Sequence, residues 1–161
     1  GNKKLVLDLR GNAGGFLSAA VDIASWFLPA GEIVARERLA DGSEDNYRSI
    51  GRKVLEKVPL VVLINQGSAS ASEILAGALK DNRGVKLIGE KSFGKGSVQE
   101  LINLKGGASL KVTIAKWLTP SGKTIEGAGL EPDIKVEMKK EDVDAGKDPQ
   151  LDKAVEILKG L

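Results

Sequence analysis

The stretch from Val61 to Leu79 leaves this chain the fewest choices. Val61-Val62-Leu63-Ile64 is an apolar, β-branched run bounded by Pro59 on one side and Asn65-Gln66-Gly67 on the other. It reads as a buried strand running into a tight turn. Ser70 then stands three residues before Glu73, the capping-box spacing, and good helix formers follow, so a helix starts there. A hydroxyl at that corner meets the first free amide donors of the helix and the positive end of its dipole. Such a corner suits a nucleophile that must form and then hold an oxyanion.

The chain contains no histidine and no cysteine. A Ser-His-Asp triad, a Cys-His pair and any zinc site built on those ligands are excluded within this polypeptide. A base for Ser70 has to be a carboxylate, a tyrosine, a terminal amine or a lysine. Gly89-Glu90-Lys91-Ser92-Phe93-Gly94-Lys95-Gly96-Ser97-Val98-Gln99 supplies a lysine between two glycines, in a turn between two strands. A lysine serves as general base when desolvation or a nearby positive field favours its free amine. A partly buried Lys95 facing the amino end of the Ser70 helix would meet both conditions.

Three blocks in order now carry a resemblance. Asp8-Leu9-Arg10-Gly11-Asn12-Ala13-Gly14-Gly15 is like D-L-R-x-N-x-G-G, Gly67-Ser68-Ala69-Ser70-Ala71-Ser72-Glu73 is like G-[ST]-A-S-A-S-E, and Phe93-Gly94-Lys95-Gly96 with Gln99 is like F-G-K-G-x-x-Q. The chain resembles the carboxyl-terminal processing peptidases, or tail-specific proteases, of the S41 serine peptidase family. Ser70 and Lys95 stand 25 residues apart, as in that family. Thr119-Pro120-Ser121-Gly122 through Gly127-Ala128-Gly129-Leu130-Glu131-Pro132-Asp133-Ile134 also looks like the family's T-P-S-G-x-x-I-x-G-x-G-[IL]-x-P-D-I. Ala13 stands where proline is common and Ser92 where threonine is common. Neither departure touches the chemistry.

The resemblance implies a catalytic serine (Ser70), a lysine base (Lys95) and an orienting glutamine (Gln99). It implies an oxyanion hole made by the amide of Ala71 and that of Gly14 or Gly15, with no cofactor and no metal. The Gly11–Gly15 turn also has a plainer reading, a strand-to-helix corner where glycine permits positive φ or close backbone approach. The implied fold is α/β, the ClpP/crotonase-like ββα superhelix. The implied substrate is a polypeptide cut near its carboxyl terminus. The family's PDZ domain, its tail-reading part, would lie upstream, and the family is exported, hence extracytoplasmic. The oligomeric state stays open.

Length and composition agree with one domain over residues 1–161. Apolar content of 42% and charged content of 29% are those of an ordinary globular chain. A formal charge of +2 without a basic stripe argues against nucleic acid as a partner. No apolar run approaches the roughly 20 residues that span a bilayer. The chain has no starting methionine and reads as the carboxyl-terminal part of a protease core, incomplete at its amino-terminal side.

In order along the chain, Lys4–Leu9 reads as a strand and Gly11–Gly15 as a turn. A helix follows on Leu17, Ala20, Val21, Ala24, Phe27 and Leu28, stopped by Pro29 and Gly31. Glu32–Arg38 and Asp45–Ser49 form a hairpin about Asp41-Gly42, and Gly84 ends the Ser70 helix. Val85–Gly89 is a strand, and Gln99 lies in or at the start of the next. Ser109–Lys116 alternates as a half-buried strand continuing through Leu118, and Ile134–Met138 is the last strand. Lys139–Asp148 is a charged surface linker. A closing helix has an apolar face of Leu151, Ala154, Val155 and Leu158.

Taken singly, Ser70 is an N-cap, Lys95 a solvated charge and Gln99 a polar strand residue. Spacing and order together favour the catalytic assignment. Ser68, Ser72 and Ser97 are competing hydroxyls, although Ser72 lies about 200° round the helix from Ser70. Two other functional classes fit the fold: a non-catalytic binding module and an acyl-CoA enzyme of the crotonase type. The second leaves Lys95 and the serine block unexplained. A third outcome is a correctly folded but inactive piece.

Overall fold

The computed structural model describes residues 3–52 and 54–161. Its first half runs β1 (Leu5–Asp8), α1 (Leu17–Phe27), β2 (Ile33–Leu39), β3 (Glu44–Arg48), β4 (Leu60–Ile64) and α2 (Ala71–Arg83). The second half runs β5 (Lys86–Gly89), β6 (Ser97–Asn103), β7 (Ser109–Leu118), β8 (Ile134–Lys135), α3 (Lys140–Asp144) and α4 (Pro149–Gly160). Two four-stranded sheets result, a parallel one in the order β1-β4-β5-β8 and an antiparallel one in the order β3-β2-β7-β6. The α/β expectation holds.

β4 is the axis of the molecule because it is apolar on both faces, as a strand covered by helices on both sides must be. Val62 and Ile64 pack into the cluster containing Phe27, Ile74 and Leu79 from α1 and α2. Val61 and Leu63 point the other way, onto Ala154 and Leu158 of α4. All five β4 residues are buried. Burying each such side chain is worth about 1.5–3 kcal/mol.

α2 runs buried from Ala71 to Leu79, which its small residues make feasible. Gly77 is one of these, since a Cβ there would stand 3.2 Å from the Thr119 methyl. The helix ends where expected, at Gly84 in the left-handed conformation (φ 62°), which a residue with a Cβ adopts only under strain.

Several expectations are corrected. β8 stops at Lys135, because its partner β5 ends at Gly89, whose carbonyl takes the last ladder bond from Val136 N–H, and Met138 N–H turns to the Glu90 carboxylate. The Lys139–Asp148 segment is on the surface but contains a five-residue helix, α3. In α4, Ala154 and Leu158 are buried as expected, but Leu151 and Val155 are exposed and Gln150 is buried with the other two. The β6–β7 pair projects beyond the core, so Leu110 and Ile114 are exposed rather than half-buried. Its register slips between Val98 and Gln99, leaving Ile114 as the extra residue of a bulge.

Candidate active site

Parallel strands bring their carboxyl ends to one edge of a sheet, where α/β proteins build their sites. Here the loops after β1, β4 and β5 meet at that edge. Asn65 Oδ1 accepts the amides of Gly11 and Gly67, each at 2.9 Å. Asn12 O accepts Ala69 N–H at 3.0 Å, and Ser68 Oγ donates to Leu9 O at 2.7 Å. The third loop joins through Phe93 N–H to Ser68 O at 3.0 Å.

Ser70 sits at the amino end of α2 with φ 56° and ψ −120°, and is the one non-glycine with positive φ among the described residues. An L side chain held there costs about 1–3 kcal/mol. A strained residue at a sharp strand-to-helix turn is also the backbone feature of a nucleophile elbow. Its N–H donates to Glu73 Oε2 at 2.9 Å, the carboxylate half of the capping box that the sequence spells. The competing hydroxyls are placed differently: Ser68 is buried and spends its Oγ on Leu9 O and Asn65 N–H, Ser72 is buried, and Ser97 lies in β6.

Gly14 lies directly against this corner. A Cβ on it would stand 2.4 Å from Ala69 O, 2.7 Å from Ala71 N and 2.9 Å from Ser70 Cβ. Only a glycine allows that approach, and its φ of 89° requires one as well. The Gly14 N–H donates to Asn12 Oδ1 at 2.9 Å. Gly15 follows on the exposed side, and a Cβ there would meet nothing within 4 Å. Beside these glycines opens a cleft of about 120 Å³, lined chiefly by Leu9, Phe16, Ala19, Ile23, Ala71 and Leu75.

Lys95 is exposed, so the partial burial that the sequence argument asked of it is not supplied by the described residues. Its flanking glycines are buried instead, with Gly94 against Gly127 and Gly129 and Gly96 against Glu126. The backbone of the turn is therefore fixed and the side chain directed outward. Gln99 lies in β6 opposite Thr113, also exposed, just beyond the register slip. The structure thus brings Ser70, Ala71 and Gly14 together, with Gly15 next in the chain, and ties the backbone of the Lys95 turn to the Ser70 corner through the Glu73 carboxylate.

Reading Glu73 only as a capping residue missed its larger part. Its side chain is fully buried, and its carboxylate accepts four donors from two loops. Asn12 and Asn65, which stitch the first two loops, were also missed; an asparagine beside glycine in a turn was the available signal. Below the site, Arg10 bridges Asp8 and Asp148, both at 2.7 Å, and so fastens the first loop to the N-cap of α4. These hydrogen bonds from Arg10 hold the Asp148 carboxyl below its ordinary range.

No helix among the described residues is long and apolar enough to cross a membrane. Residues 1–136 match the pattern of peptidase family S41. The chain is 44% identical over 158 residues to a carboxyl-terminal-processing protease of Synechocystis sp., covering 96% of this chain and 36% of that protein. It is 42% identical over 135 residues to the chloroplastic C-terminal processing peptidase of Tetradesmus obliquus, covering 83% of this chain and 28% of that one. Among solved structures, the photosystem II D1 C-terminal processing protease matches with a TM-score of 0.78 at 40% identity, over 83% of this chain and 34% of its own. The tricorn protease shares the fold, with a TM-score of 0.62 at 21% identity over 96% of this chain and 15% of its own. The chain spans about a third of the length of the processing proteases it matches. The chain therefore belongs to peptidase family S41.

Proposed function

We propose that this chain carries the nucleophile of a serine endopeptidase that cuts polypeptides near their carboxyl termini through a Ser70–Lys95 dyad. The observation that carries the reading is the strained backbone of Ser70 at the start of α2, with Gly14 packed against Ala71 N. In the reaction, Lys95 as free amine takes the proton of Ser70, and Oγ attacks the scissile carbonyl carbon. The oxyanion is held by the Ala71 N–H and a glycine N–H of the first loop. Gly14 spends its N–H on Asn12, which leaves Gly15 as the donor of that pair. The Lys95 ammonium then protonates the leaving amine, and the peptide bond breaks. Lys95 next takes a proton from water, which attacks the acyl-enzyme to release the new carboxyl end and restore Ser70. Gln99 orients the lysine amine, the part a triad's third member plays. The small apolar cleft beside Ala71 suits a compact apolar side chain next to the scissile bond. An upstream PDZ domain would read the tail, in an extracytoplasmic compartment.

The test is labelling with a serine-reactive fluorophosphonate, with the adduct located by mass spectrometry, in the wild type, Ser70→Ala and Lys95→Ala. The expected adduct sits on Ser70 and is lost in both variants. An adduct elsewhere, or labelling of Ser70 that survives Lys95→Ala, refutes the dyad. A chain that takes no label either by itself or with the upstream segments restored refutes the peptidase reading and favours a binding module on the same fold, whereas label only in the extended chain means that this piece is folded but inactive.

A further inference from the structure

The Ser70 corner and the Lys95 turn come from different strands, and one buried side chain joins their main chains. Glu73 Oε2 accepts Ser70 N–H and Lys95 N–H, both at 2.9 Å. Its Oε1 accepts Ser92 Oγ–H at 2.6 Å and Gly94 N–H at 2.7 Å. A carboxylate offers about four lone-pair sites, so every site is filled. Ser92 Oγ in turn accepts Leu130 N–H at 2.7 Å, which extends the hold to the loop behind the lysine turn. The rest of that turn is tied elsewhere: Gly94 O accepts Gly127 N–H at 2.9 Å, Gly96 N–H donates to the Glu126 carboxylate at 2.7 Å, and Gly96 O accepts Trp117 N–H at 2.6 Å. No other side chain among the described residues accepts from both Ser70 and Lys95.

We infer that Glu73 is a positioning residue, a buried carboxylate that sets the separation of nucleophile and base by binding both of their backbone amides, with Ser92 as its own support. The inference rests on the dyad reading above. An N-cap needs only the bond to Ser70. The bonds to Ser92, Gly94 and Lys95 contribute nothing to capping α2, and all of them fasten the base-bearing loop. With an exposed lysine side chain, the approach of its amine to Ser70 is governed by where its Cα is held. A displacement near 1 Å at a reacting pair can cost about 100-fold in rate.

Glu73→Gln is isosteric but replaces one acceptor oxygen by an NH₂ group. Placed at the Oε1 position, that NH₂ can still donate to Ser92 Oγ but faces Gly94 N–H donor to donor. Placed at the Oε2 position, it opposes the amides of both Ser70 and Lys95. The lysine turn loosens either way, while the core beneath it is untouched. Ser92→Ala removes one support only, and Ser92→Thr keeps the hydroxyl.

The experiment measures the rate of fluorophosphonate labelling of Ser70 against pH, together with Tm, for the wild type, Glu73→Gln, Ser92→Ala and Ser92→Thr. Lys95→Ala and Leu158→Ala accompany them, the latter a remote core variant that lowers Tm without touching the site. The expected result is a loss of about 100-fold in Glu73→Gln and about 10-fold in Ser92→Ala, with a displaced pH profile in both. Ser92→Thr is expected to keep the wild-type rate and profile. Leu158→Ala lowers Tm with rate and profile unchanged. The inference is overturned if Glu73→Gln and Ser92→Ala behave like Leu158→Ala. If Glu73→Gln does not fold, Ser92→Ala against Ser92→Thr decides alone. Labelling that survives Lys95→Ala overturns the dyad itself, and this inference with it, so the two failures are told apart.

Discussion

Replacing Gly14 by alanine tests the close approach on which the proposed oxyanion hole depends. Two costs add. Holding a Cβ-bearing residue at φ 89° costs about 1–3 kcal/mol, and forcing that Cβ into three atoms at 2.4, 2.7 and 2.9 Å costs about 1–3 kcal/mol more. The sum of about 2–6 kcal/mol is a large share of the roughly 5–15 kcal/mol that holds a domain together. At about 2–4 °C per kcal/mol for this size, Tm should fall by roughly 4–24 °C. The collision is relieved by moving the first loop away from Ala71 N, which withdraws an oxyanion donor and lowers Ser70 labelling by about 10²–10³. Gly11→Ala is the internal control, because φ is also positive there, at 67°, but a Cβ meets nothing within 4 Å. It should carry the conformational cost alone and label within a few-fold of wild type. Thermal denaturation and labelling kinetics on both variants decide the matter. Equal effects of the two substitutions on Tm and on labelling would refute the reasoning, since the collision would then have no consequence.

Other consequences are simpler to state. Leu63→Ala, at a fully buried position between β4 and α4, should cost about 2–5 kcal/mol in urea unfolding. The Asp148 carboxyl lies below its ordinary value of 3.8 because Arg10 donates to it. Its contribution to stability is therefore whole above that pH and is lost as pH falls through the lowered folded value. Asp148→Asn keeps an N-cap for α4 and should flatten that acid limb of the stability–pH curve, read by denaturation from pH 5 down to 2 (roughly the window of a perturbed carboxylate). Ser68→Ala leaves Asn65 N–H without its partner and should destabilise by about 1–3 kcal/mol, yet the adduct should remain on Ser70. An adduct that vanishes in a folded Ser68→Ala chain would point to the wrong hydroxyl.

Much of the fold was legible because it follows local rules. The β4 run is apolar at every position, the α2 start is written by Ser70 and Glu73, and its end by Gly84. What escaped depends on distant partners. The alternation of Leu110, Val112 and Ile114 describes a strand with an apolar face, but nothing local says whether a second layer covers it, and among the described residues none does. Leu151 and Val155 likewise keep helical spacing while α4 turns other residues inward.

The same division runs through the site. The order and spacing of the three motif blocks pointed to Ser70, Lys95 and Gln99, because residue type and sequence separation are properties of the chain alone. The sequence also showed that only glycines stand at 14 and 15. Tertiary structure alone decided that Gly14 meets Ala71, that Lys95 is exposed on a fixed turn, and that Glu73 gathers four donors from two loops. Those facts belong to segments about twenty to sixty positions apart in sequence, joined where three parallel strands end together. A hydrogen bond over that separation has no local signature, since any buried carboxylate accepts from whichever donors the packing delivers.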